Sequence, residues 1–204
     1  MPDLAPPPGD PAALLAFPRR RLRRGTRLYR IHPAGRSPFW FARAGGRFDL
    51  PPPNGACYLA LSGEAAFLET LARRPIGLVP AEEVDRRRLT VAPLPRDVAA
   101  ANLPVRRARA FGLTAEIHTS PDRSITRAWA HALFTAGHRV IVAIPRHDVT
   151  GRQRSVTLLD RAGDHPPFRW AWRPETGDVP DRLIDRMERW GIRVVPIPYD
   201  LPPA

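Results

Sequence analysis

The sequence predicts an α+β fold in a single domain, with mixed, short-stranded sheets and flanking helices. Three observations carry that expectation. Short apolar runs bounded by Gly and Pro recur along the chain, as strands do. Two stretches, one after Ser62 and one around Trp129, have helical spacing instead. A length of 204 residues allows one sizeable core and leaves too little chain for a second full domain.

Taken in order, residues 1–25 are rich in Pro and then Arg and lack steady periodicity. They read as a flexible tail or partner-binding arm with a short helical turn at Ala12–Ala16, and residues 26–204 as the folded domain. Arg27–His32 is a strand stopped by Pro33. Ala34–Asn54 carries Gly and Pro at a density that predicts a long, structured loop, a kind often functional. Ala56–Leu61 alternates as a strand does. Ser62 caps the next helix with Glu64 in its first turn, and that helix runs to about Arg74, where Pro75 ends it. Along it, at about 100° per residue, Ala65, Glu69 and Ala72 share a narrow stripe of small residues beside Leu68. Arg88–Ala92 is a strand, Asp97–Leu103 a short helical turn, and Ile125–Ala136 a second helix with Trp129, Leu133 and Ala136 inward. Arg139–Ile144 and Val156–Asp160 read as strands, Pro180–Trp190 as an amphipathic helix, and Ile192–Ile197 as a last strand.

Composition narrows the function. A hydrophobic share of 43% with 25% charged residues fits a soluble globular protein, and no apolar run reaches the roughly 20 residues a membrane span needs. The basic cluster Arg19–Arg24 follows the weak apolar run at Leu14, the reverse of a signal peptide. Cys57 is the sole cysteine, which excludes an internal disulfide and suits a reducing cytoplasm. The net charge of +12 comes entirely from arginine, since the chain has no lysine; with abundant Ala and Pro this points to coding bias as much as to a binding surface. Such a chain attracts nucleic acid nonspecifically, and an acidic protein partner accounts for the charge at least as well.

Several short stretches place polar groups inside apolar elements, where a charge is costly without a partner or ligand. They are Leu28-Tyr29-Arg30-Ile31-His32, Gly46-Arg47-Phe48, Cys57-Tyr58-Leu59-Ala60 and Glu64-Ala65-Ala66-Phe67-Leu68-Glu69-Thr70-Leu71. Two arginines, two tyrosines and a carboxylate, with no Cys/His cluster, describe a site for a phosphorylated, sugar-like ligand and not for a metal. Each residue also has a plain structural reading. Glu69 can pair with Arg73 at i+4, Arg30 can be an outward strand residue, Arg47 a turn residue, and Tyr29 and Tyr58 core residues. His147 and Asp148 are sequence neighbours whose side chains diverge on an extended chain, so they do not form a dyad.

With Thr126-Arg127-Ala128-Trp129-Ala130 and Arg146-His147-Asp148 added, these segments resemble the RES domain family, toxins of bacterial toxin–antitoxin pairs, from about Arg27 to Asp160. The resemblance implies a fold similar to the NAD-binding core of ADP-ribosyltransferases and cleavage of NAD, as substrate, at the nicotinamide–ribose bond, with a protein antitoxin as partner. It casts Glu69, Arg30 and Tyr58 as catalytic, and Arg47, Tyr29 and Arg146 as substrate-binding. Water or inorganic phosphate is the implied acceptor, and protein ADP-ribosylation is the nearest variant. One departure stands out: Pro145, in Ala143-Ile144-Pro145-Arg146, occupies the place of the family serine. Proline offers neither hydroxyl nor N–H, and one lost hydrogen bond is worth about 0.5–1.5 kcal/mol, which describes an attenuated enzyme. A non-catalytic nucleotide-binding regulator and an arginine-rich nucleic-acid binder are the competing readings.

Overall fold

The computed structural model describes residues 4–43, 45–72 and 77–196. Asp10 caps a 3-10 turn at Pro11–Leu14, followed by strands β1 (Arg19–Leu22), β2 (Arg27–Pro33), β3 (Trp40–Phe41) and β4 (Asn54–Ala60). Helix α1 (Gly63–Thr70) starts at Ser62, whose Oγ accepts from the Ala65 N–H at 3.1 Å. Then come β5 (Leu78–Pro80), α2 (Ala81–Asp85), β6 (Arg87–Pro93) and β7 (Val98–Asn102). Two helices follow, α3 (Glu116–Thr119) and α4 (Arg123–Thr135). The Asp122 carboxylate caps α4 by accepting from the Ser124 N–H at 2.8 Å, which starts this helix slightly earlier than its apolar spacing predicts. The chain continues through β8 (Val140–Ala143), β9 (Ser155–Arg161), β10 (Gly163–Asp164), β11 (Glu175–Gly177), α5 (Asp181–Glu188) and β12 (Arg193–Val195). The expected continuations of the first helix to Arg74 and of the last strand to Ile197 lie outside the described residues.

The main sheet has eight strands in the order β1-β7-β8-β9-β4-β2-β6-β11. Its neighbours are antiparallel except β7 and β8, so the sheet is mixed. Small two-stranded pairs, β10 with β3 and β12 with β5, flank it. One face of the sheet packs Leu28, Cys57, Leu59, Val142 and Leu158 against Phe41 of β3 and against Phe39 and Trp170. The other face is covered at two ends by different helices. At one end Trp129 and Leu133 of α4 cover Ala56, Ile141 and Leu159. At the other, Phe67 and Leu68 of α1 with Leu183 and Met187 of α5 cover Ile31 and Ala60.

Two expectations are corrected. Residues 4–24 are no flexible tail: Leu4, Leu14, Phe17 and Leu22 are all buried, and β1 pairs with β7 from Arg19↔Ala101 to Leu22↔Val98. Trp129 Nε1 donates to Ala5 O at 2.9 Å, and His138 Nε2 lies 3.0 Å from Leu14 O. The exposed Arg19, Arg20 and Arg21 therefore lie along the outer edge of the sheet, where like charges discourage pairing with another chain. The second correction is Asp97–Leu103, which holds strand β7 in place of a helical turn. Alanine favours helix locally, but Ala100 and Ala101 are fully buried between β1 and β8, and small side chains suit that crowded position.

Candidate active site

Between the two covered ends lies a cleft of about 720 Å³, opening onto the sheet where β2 and β4 separate. These strands share the single register pair Tyr29↔Ala60, so the sheet splays beyond it. On opposite sides of the seam, Tyr29 packs toward the α1 cluster and Tyr58 toward the α4 cluster. Both line the cleft, as do Glu69, Arg30, Arg47 and Arg146. The fold thus brings all six sequence-predicted site residues to one place.

Glu69 sits half-buried on α1, and the stripe that faces the cleft is Ala66, Glu69 and Thr70. It is displaced from the expected Ala65, Glu69 and Ala72, because Ala65 lies in the core away from the cleft and Ala72 falls beyond the helix end at Thr70. Thr70 Oγ1 donates to Ile31 O at 3.3 Å and ties this helix end to β2. The alternative partner considered for Glu69, Arg73, lies outside the described residues.

Arg30 leaves β2 on the face opposite Tyr29. Its guanidinium donates to Pro38 O at 2.5 Å, to Trp40 O at 3.2 Å and toward Cys57 Sγ at 2.6 Å. It closes the seam with hydrogen bonds that the diverging strands cannot make to each other. That arrangement makes Arg30 a clamp on the Pro38–Trp40 loop at the edge of the cleft. Burial pushes the Cys57 thiol up to about 11, with Arg30 opposing it, which removes the thiol as a nucleophile at neutral pH.

Tyr58 is likewise committed. Its hydroxyl donates to Asp49 Oδ1 at 2.7 Å and accepts from the Phe48 N–H at 2.9 Å. Burial first, and then the Asp49 carboxylate, hold its phenol well above the usual range. Asp49 Oδ2 in turn accepts from the Gly46 N–H at 2.7 Å. A Cβ on Gly46 would overlap both the Tyr58 hydroxyl and Asp49 Oδ1, so glycine is required there to let this triad close. The triad holds Arg47 at the cleft wall, where Nη1 donates to Ser120 O at 3.1 Å and leaves other donors for a ligand. Burial lowers the pKa of Arg47, Glu69 opposes that shift, and Arg146 and Arg123 add to it. One carboxylate and three guanidinium groups therefore share a single field.

Sequence reading missed Asp49, Arg123, His118, Ser155 and Thr157. Asp49 had a local signal, a carboxylate just beyond the Gly-Gly-Arg turn; the others come from distant elements. Pro145 is buried and does not itself line the cleft, whereas Ile144, Arg146 and His147 around it do. Asp148 is used in its own loop, accepting from the Gln153 N–H at 2.6 Å and from Thr150 Oγ1. Among the described residues, no group of three or more His, Cys, Asp or Glu could hold a metal ion, and no helix is long and apolar enough to cross a membrane.

His118 stands behind Arg47, with Nδ1 accepting from the Ile144 N–H at 3.3 Å. Burial and the charges of Arg47 and Arg154 push its pKa from 6.5 to about 4. The unfolded chain therefore takes up this proton before the native state does. Stability is full above pH 6.5 and falls toward pH 4, by about 3 kcal/mol from this group. His118→Gln is expected to flatten the fall in melting temperature over that window. Identical pH profiles for variant and wild type would show that His118 does not drive it.

The family described as the RES domain matches residues 27–171 of this chain. No curated protein matches it significantly. A chain of the crystal structure of the M. tuberculosis MbcT–MbcA toxin–antitoxin complex superposes with a TM-score of 0.65 at 20% identity, covering 83% of this chain and 92% of that one. That agreement extends to the α+β fold, with its mixed eight-stranded sheet and flanking helices.

Proposed function

This chain belongs to the RES domain family, and from that premise we propose that it cleaves NAD at the nicotinamide–ribose bond as the toxin of a toxin–antitoxin pair. The observation that supports this most is the charge layout of the cleft: Glu69, Arg47, Arg123 and Arg146 line one cavity whose volume of about 720 Å³ lies within the roughly 300–1,000 Å³ of small-molecule and cofactor sites. The guanidinium groups offer paired donors to a pyrophosphate, and the rings of Tyr29 and Tyr58 offer faces to nicotinamide or adenine. With its hydroxyl bound to Asp49, Tyr58 contributes its ring.

In the reaction, the bond from ribose C1′ to the nicotinamide nitrogen breaks and its electron pair leaves with neutral nicotinamide. Positive charge develops on the ribose ring, where the Glu69 carboxylate stabilises it. Water, or inorganic phosphate, then attacks C1′; attacking water gives ADP-ribose and releases a proton. Arg47 and Arg146 hold the pyrophosphate through the step, while Arg30 keeps the loop at the seam in place. The proposed partner is a protein antitoxin.

Incubation of the purified protein with NAD, following free nicotinamide, tests the proposal; no release would overturn it. A second reading, binding without turnover, is favoured by Pro145, which supplies no hydroxyl, and it predicts NAD binding with no nicotinamide released. Under either reading Arg47→Ala is expected to weaken NAD binding by about 1.5–3 kcal/mol, measured by calorimetry on the folded variant. Unchanged affinity would reduce Arg47 to a brace for Ser120.

A further inference from the structure

We propose that Thr157 is a ligand-binding residue on the cleft floor, its hydroxyl hydrogen-bonding a neutral polar group of the nucleotide, a sugar hydroxyl or a carboxamide. The inference rests on the cleft being a nucleotide site, as argued above, and adds a residue that this argument did not use. Thr157 lies on β9 in the middle of the main sheet, between Tyr58 of β4 and Ile141 of β8. Paired residues on neighbouring strands share a face, so Thr157 stands beside Tyr58 on the side where the cleft opens, and it lines that cleft. Ser155, also lining the cleft, lies on the same face two positions earlier on the strand.

Packing does not account for a hydroxyl here. Thr157 is 1% exposed, and its Oγ1 has no hydrogen-bond partner. Among the described residues it is the one water-shielded hydroxyl left in that state. Others are satisfied: Thr90 Oγ1 joins His32 and Thr176, and Thr126 Oγ1 donates to Arg47 O. Neighbouring positions on the same face are apolar, Ile141, Ala143 and Leu159 among them. Valine has the same shape as threonine and avoids the cost of an unmade hydrogen bond, so packing alone favours valine. A ligand entering the cleft supplies the missing partner, and rotation about χ1 exchanges the hydroxyl with the methyl to meet it. The ligand group is neutral, because the cationic groups that suit phosphate are on the cleft wall at Arg47, Arg123 and Arg146.

The test compares wild type, Thr157→Val and Thr157→Ser for NAD affinity by calorimetry and for unliganded melting temperature. Thr157→Val is expected to bind NAD about tenfold more weakly, with Tm unchanged or raised by about 2–4 °C, since it deletes an unmet polar group. Thr157→Ser keeps the hydroxyl and is expected to bind within about twofold of wild type. Wild-type affinity in the valine variant would overturn the role of Thr157 and leave the nucleotide site standing. A lowered Tm in that variant would also overturn it, by showing a structural bond. Failure of the wild type itself to bind NAD would overturn both this inference and the reading on which it rests.

Discussion

Glu69→Gln is expected to slow nicotinamide release by at least about a hundredfold while leaving the protein folded. The amide has nearly the shape of the carboxylate, and α1 is held by Ala65, Phe67 and Leu68 in the core and by the Glu64–Arg186 ion pair, none of which the change touches. What it removes is the negative charge that acts on both Arg47 and Tyr58. With that charge gone the cleft becomes wholly cationic, the wrong field for a developing oxocarbenium ion. Binding of the pyrophosphate should survive or strengthen, so the loss should appear in kcat more than in KM. A folded variant with wild-type turnover would remove Glu69 from the chemistry.

Deleting residues 1–24 is expected to unfold the domain or to lower its melting temperature severely. The segment buries Leu4, Leu14, Phe17 and Leu22, and each such side chain contributes about 1.5–3 kcal/mol. Their sum is comparable with the roughly 5–15 kcal/mol that holds a typical domain together. The deletion also strips β1 from β7 and leaves Trp129 Nε1 without Ala5 O. Thermal unfolding followed by circular dichroism reads the outcome. A truncated chain melting as wild type does would mean that the segment merely rests on the surface.

Signals carried by neighbouring residues were legible. Ser62 and the apolar spacing behind it specify α1, and the pattern at Trp129 and Leu133 specifies α4, because caps and helical periodicity act within a few residues. Strand β2 and its stop at Pro33 were equally local. The residues that gather at the cleft were legible as a set, through charged and aromatic residues placed in apolar elements at no benefit to packing. The partners of each member were not. Arg30 donates to Pro38 and Trp40, and the Tyr58 hydroxyl to Asp49, contacts that no local pattern announces.

The sequence by itself determined the α+β class, the two principal helices and the group of residues that gather at the cleft. Only the tertiary structure decided that the arginine-rich N-terminus is an edge strand, that Val98–Asn102 is a strand, that Arg30 closes a seam, and that Thr157 lies beside Tyr58 with an unmet hydroxyl. The physical reason is common to all four. Each depends on a hydrogen bond, made or missing, between segments that no local periodicity connects, from eight residues apart for Arg30 and Pro38 upward, and local composition carries no record of which partner the backbone will meet.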